Sequence, residues 1–131
     1  MVPSVRPSDP AAWERLRDIC ATLPTTSEKT SHGELAWNVG VGSQARQFAT
    51  TWDHHHDERN AVVFAAPPGV QEQLVEAQPE RYFRPPYVGG RGWVGMYLDR
   101  PPVDWDLVEL HLRDANEFTG RPDGRARRAR D

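Results

Sequence analysis

Residues 35–66 constrain this chain more than any other stretch. Leu35, Trp37, Val39 and Val41 fall on every second position, with Ala36, Asn38 and Gly40 between them. A two-residue period sends alternate side chains to opposite sides of an extended chain, so this stretch is a half-buried strand. Gly42 and Ser43 supply a turn, after which Phe48, Thr50 and Trp52 repeat the period across residues 46–52. Residues 61–66, AVVFAA, are apolar throughout, as suits a strand buried on both faces. Strands that follow one another through connections too short for a crossover helix pair antiparallel.

The flanks read as helices. From Pro10, the residues Trp13, Leu16, Ile19, Cys20 and Leu23 recur at helical spacing, with Asp9 placed to cap and Pro10 suited to a first turn. The polar stretch at residues 25–33, TTSEKTSHG, reads as a turn. Pro67 and Pro68 open a second helix with Val70, Leu74 and Ala77 as its inner stripe, and Pro79 ends it. Pro85 and Pro86 cannot donate to a central ladder, so residues 81–88 are an edge strand or an ordered loop, and residues 93–98 are a better strand. Asp104 caps a last helix striped by Trp105, Val108, Leu112 and Ala115 and broadened by Leu107 and Phe118. The expected fold is α+β: helix, three strands, helix, one or two strands, helix, an antiparallel sheet with helices packed on one face.

A chain of 131 residues fits one domain. Its expected extent is residues 10–120, between a flexible arm at residues 1–9 and a disordered Arg-rich tail at residues 121–131. That tail holds five arginines against Asp123 and Asp131, which leaves the first 120 residues with 11 Lys+Arg against 17 Asp+Glu of totals of 16 and 19. An acidic body argues against gripping phosphate over a broad face. Lys29 is the only lysine, so arginine counts reflect a chain-wide preference and carry little functional weight. Cys20 is the only cysteine and shares a helical face with Trp13, Leu16 and Leu23, which makes it a buried structural thiol. No apolar run reaches a membrane span and the first ten residues lack a signal core, so the expected location is cytoplasmic, without a membrane partner.

Residues 53–59, DHHHDER, hold three of the five histidines. Neighbouring side chains in extended backbone diverge, so at most His54 and His56 converge, and Asp53, Asp57, His32 or His111 would have to complete a tetrahedral set. Placed between two strands, the segment reads first as a polar hairpin connection. Glu34 beside His32, and Asp53 beside the histidines, are the acid/base candidates. No nucleophile elbow, P-loop or dinucleotide fingerprint is present, and no cofactor is expected. Residues 81–98 carry Arg81, Arg84 and Arg91 and no acid, interleaved with Tyr82, Phe83, Tyr87 and Trp93. Cations among flat rings are what single-stranded nucleic acid contacts use, and they are equally what a core and its rim look like. The glycines of GGRG, residues 89–92, suit a turn between strands and could expose N–H groups to an anion.

The block PERYFRPPYVGGRGWVGMYLD, preceded by FATTWDHHHDERNAVVFAAPPGVQEQLVEAQ and SHGELAWNVG, resembles the MmcQ/YjbR-like family of small bacterial proteins over residues 23–112. The most specific parts are PPYVG-x-x-GWVG-x-x-LD, HG-x-x-x-W and FA. The resemblance implies a frataxin or CyaY-like α+β sandwich, and a DNA-binding label that rests on a double-wing arrangement; it implies no catalytic residues. Where the family has a basic residue just before FA, this chain has Gln47, with Arg46 one place earlier.

Three functions follow as expectations. The first is a non-catalytic domain binding DNA weakly through Arg46, Arg81, Arg84, Tyr87, Arg91 and Trp93. The second is a protein-interaction module or homodimer built on an exposed sheet edge. The third is a small-molecule or metal-dependent protein using His54, His56, Asp53 and Glu34.

Overall fold

The computed structural model describes residues 10–53 and 59–121. In chain order the elements are α1 (Pro10–Ala21), β1 (Thr26–Ser31), β2 (Glu34–Val39), β3 (Arg46–Asp53), β4 (Asn60–Phe64), α2 (Val70–Ala77), β5 (Tyr82–Phe83), β6 (Val94–Tyr97) and α3 (Trp105–Gly120). The strands form a six-stranded sheet in the order β1-β2-β3-β4-β6-β5. Every neighbouring pair is antiparallel. The α+β class and the antiparallel sheet expected from the alternation are both present.

α1 and α3 lie across one face. Arg17 of α1 donates through Nε to Glu28 of β1 at 3.1 Å, and the same carboxylate accepts from Trp37 Nε1 of β2 at 3.1 Å. Gly120 ends α3 against Val39, and His111 of α3 stacks on Phe64 with centroids 4.9 Å apart. α1 buries Ala12, Trp13, Leu16 and Cys20, the expected stripe. In α3, Val108, Leu112 and Ala115 are buried, while Asp104 caps by accepting from the Leu107 N–H at 3.1 Å. All five residues of β4 are buried, consistent with its unbroken apolar run. On the other face, Phe83 stacks on Tyr97 at 4.7 Å and meets Trp52 edge-on at 6.0 Å. Burying side chains of this size contributes about 1.5–3 kcal/mol each, so the two faces together carry the fold.

Three expectations are corrected. Residues 26–31 are not a turn but the edge strand β1, paired along its whole length with β2 from Thr26 opposite Val39 to Ser31 opposite Glu34. Its burial pattern is exposed through the middle, so no apolar alternation marks it. The turn is only His32 and Gly33, both at positive φ, 54° and 84°, as a two-residue hairpin connection requires. On α2 the inward residue is Gln71, 2% exposed, with Val70 and Leu74 half-buried and Ala77 exposed. A polar side chain took the interior position because the loop it faces offers carbonyls. β2 also ends sooner than expected, leaving Val41 exposed beside the 3₁₀ turn Gly42–Gln44.

Candidate functional site

Antiparallel pairing sorts the candidate residues between the two ends of the sheet. Ala49 faces Phe64, Phe64 faces Val94, and Phe83 faces Gly95. The start of β3, the end of β4, the start of β6 and the end of β5 therefore share one end. Arg46 opens β3 there, and residues 84–93 leave β5 and enter β6 there, bringing Arg84, Tyr87 and Arg91 to that end. The opposite end collects Glu34, Asp53, Arg59 and Asp99.

The loop at residues 84–93 is braced from below by Gln71. Its Nε2 donates to the carbonyls of Gly89 at 2.8 Å and Trp93 at 2.5 Å, and its Oε1 accepts from Arg84 Nη1 at 3.2 Å. One buried amide thus fixes two points of the loop backbone and one of its cationic side chains. The Arg84 stem crosses Gly89 so closely that a Cβ at that position would sit 2.7 Å from Arg84 Cγ. Tyr87, at the outer turn, is 83% exposed and holds φ +69°. A large residue held in left-handed backbone stores strain that its surroundings must sustain, as occurs at ligand-contacting positions. Arg91 lies over Trp93, its Cζ 5.9 Å from the ring centroid. Trp93 itself is 4% exposed, so its ring supports Arg91 and is closed to an incoming base. Among the described residues, no carboxylate forms an ion pair with Arg46, Arg84 or Arg91.

Arg81 belongs elsewhere. Its carbonyl accepts from the Tyr97 N–H at 3.0 Å, at the end of the sheet away from Arg84. At that end two carboxylates are bonded internally. Glu34 accepts from the Thr51 hydroxyl at 2.6 Å through Oε1 and from the Asp53 N–H at 3.1 Å through Oε2, so this carboxylate is structural. Asp99 accepts from Arg59 Nε at 2.9 Å and Nη2 at 2.8 Å, and from the Asn60 N–H at 3.0 Å. Arg59 also lies 3.6 Å over the Tyr97 ring. The Arg59 guanidinium beside Asp99 holds that carboxyl below its ordinary value.

His54 and His56 lie outside the described residues. Of their candidate companions, His32 stands exposed on the β1–β2 turn near Asp53, whereas His111 stacks on Phe64 at the far end and cannot complete a set with Asp53. Among the described residues, no group of three or more His, Cys, Asp or Glu could hold a metal ion. Cys20 is fully buried, and desolvation pushes its thiol up to about 12, as expected of an inert structural cysteine. Also among the described residues, no helix is long and apolar enough to cross a membrane. The residue missed from sequence was Gln71; its only signal is a polar residue between Val70 and Leu74 at the interior position of a short helix.

The comparisons with known proteins agree with this architecture. A crystal structure of a Deinococcus radiodurans protein with the DUF419 domain superposes with a TM-score of 0.71 at 22% identity, covering 89% of this chain and 87% of that one, which shows a shared fold. Curated proteins give no match. The family model described as YjbR matches residues 21–116, most of the chain and nearly the span over which the motifs resemble that family. The chain belongs to the YjbR family.

Proposed function

We propose that this protein is a weak nucleic-acid-binding domain, selective for single strands, whose contact surface is the loop at residues 84–93, with Arg46 at the same end of the sheet. The observation that carries the reading is Tyr87: an aromatic ring 83% exposed, in left-handed backbone, between Arg84 and Arg91 on a loop braced by a buried glutamine. Stacking of a base on an exposed ring contributes about 1–3 kcal/mol, and adjacent guanidinium groups supply the phosphate contacts. The site is one loop rather than a broad face, which accommodates the acidic balance of the first 120 residues. Affinity is accordingly low and salt-sensitive.

Fluorescence anisotropy with labelled single-stranded and duplex DNA, at several salt concentrations, tests this. Single strands bind at low salt, and Tyr87→Ala weakens that binding about tenfold. A chain ending at Gly120 retains the Tyr87 effect, because the Arg-rich tail adds only sequence-independent attraction. Absence of binding at low salt, or binding unaltered by Tyr87→Ala, Arg84→Ala and Arg91→Ala, overturns the proposal.

A further inference from the structure

A pocket on the helical side has no part in the nucleic-acid reading. It lies between the end of β4, the first residue of α2 and the outer stripe of α3, and its volume is 190 Å³. Phe64, Val70 and Phe118 line it with apolar surface, and His111, Asp114, Glu117 and Arg121 supply its polar groups. An apolar cavity of about 150 Å³ takes benzene, so this one has room for a branched or aromatic side chain and a small polar head.

The polar groups are complementary to a head of both charges. Asp114 has no ion pair among the described residues, while Glu117 and Arg121 pair loosely at 3.5 Å and remain largely exposed. His111 Nε2 is 2.7 Å from the Tyr82 hydroxyl; Tyr82 is 1% exposed, and its hydroxyl makes no other hydrogen bond among the described residues. A buried phenol proton needs an acceptor, so Tyr82 donates, Nε2 accepts, and Nδ1 carries the ring proton. That N–H makes no hydrogen bond among the described residues. Burial holds His111 below its ordinary value of 6.5, so near pH 7 the ring is a neutral donor.

We propose that this pocket binds a free apolar α-amino acid. The ligand's side chain lies among Phe64, Val70 and Phe118, its ammonium meets Asp114, and its carboxylate meets the His111 Nδ1–H and Arg121. The test is a ¹H–¹⁵N correlation titration of the full-length protein with L-leucine, isoamylamine and 3-methylbutyrate, the last two each lacking one charged group. L-Leucine gives saturable shifts centred on α3 residues 111–120, and each single-charge analogue binds about tenfold more weakly. Asp114→Asn, an exposed position whose spectrum also reports folding, weakens L-leucine about tenfold. Glu109→Gln, on the same helix outside the pocket, leaves it unchanged, as do Arg84→Ala and Arg91→Ala. No saturable shift at millimolar L-leucine, equal binding of isoamylamine, or no effect of Asp114→Asn overturns the proposal.

Discussion

The two ends of the sheet are built from similar residues to opposite effect. At the β3–β4 turn end, Arg59 is spent on Asp99, which also accepts from the Asn60 N–H, and Glu34 is spent on Thr51 and Asp53. At the loop end, Arg84 is held by a neutral amide, Arg91 rests on a tryptophan, and no described carboxylate pairs with either. Bonding to a carboxylate cancels a cation's outward field; bonding to a glutamine orients it and leaves its charge available. The contrast lies in the partners: at one end the cation meets a carboxylate, and at the other the described cations meet a neutral amide and a ring.

The sharpest way to break this contrast is at Asp99. Asp99→Ala removes a carboxylate that accepts from Arg59 and from the Asn60 N–H in a partly buried setting, and destabilises by about 1–3 kcal/mol in urea unfolding. Single-strand affinity per folded molecule stays unchanged, because the lock and the loop share no contact. Gln71→Ala comes next, at about 1–2 kcal/mol, since it removes a donor from the Trp93 carbonyl and one of the two donors to the Gly89 carbonyl, which keeps the Gly92 N–H. Unlike the Asp99 change, it also lowers single-strand affinity several-fold while touching no ligand. Arg84→Ala and Arg91→Ala each lose about three- to tenfold in affinity and reduce the salt slope by about 0.7; the unfolding midpoint is unchanged within error in Arg91→Ala, whereas Arg84→Ala also lowers it by taking the donor from the buried Gln71 Oε1.

The smallest effect separates the ends by pH. His111 is held below its ordinary 6.5, so the unfolded chain binds the proton more readily, and stability falls as pH drops below 6.5 toward the folded value. Asp99 is held below its ordinary 3.8, so its contribution is complete above that value and is lost only as pH falls further, through the folded value. Urea midpoints at pH 7.5 and 5.5 should differ less in His111→Gln than in the parent, whereas an Asp99 variant should keep that difference.

Much of the fold was legible because burial follows period. The apolar run at residues 61–64 and the α1 and α3 stripes report burial, while in β2 Trp37 and Val39 are buried as the alternation implies but Ala36 is buried too and Leu35 only half so. β1 was illegible because an edge strand with exposed central residues has no apolar face to display; the His-Gly turn after it was the available clue. Of the candidate site, interleaving fitted a core and its rim equally well, whereas the nearness of Arg84, Tyr87 and Arg91 could be read from their spacing. Which rings face outward could not: Tyr87 and Trp93 are both aromatic neighbours of arginine, and only the packing around Gln71 exposes one and buries the other. Arg81 was grouped with Arg84 because they lie three residues apart, yet β5 runs between them and separates them along the sheet.

β5 contains only two residues, and its hold on the sheet rests on an absence. Phe83 occupies the space above Gly95 so fully that a Cβ there would lie 2.2 Å from the phenyl Cζ. The glycine is a socket and the ring its plug, keyed by volume rather than by backbone freedom. A single methyl at position 95 would act as an ejector, releasing the strand that leads into the Arg84 loop while the longer strands stay paired. One atom at position 95 would therefore disturb the loop's anchor and the packing of Phe83 on Tyr97 and Trp52 together.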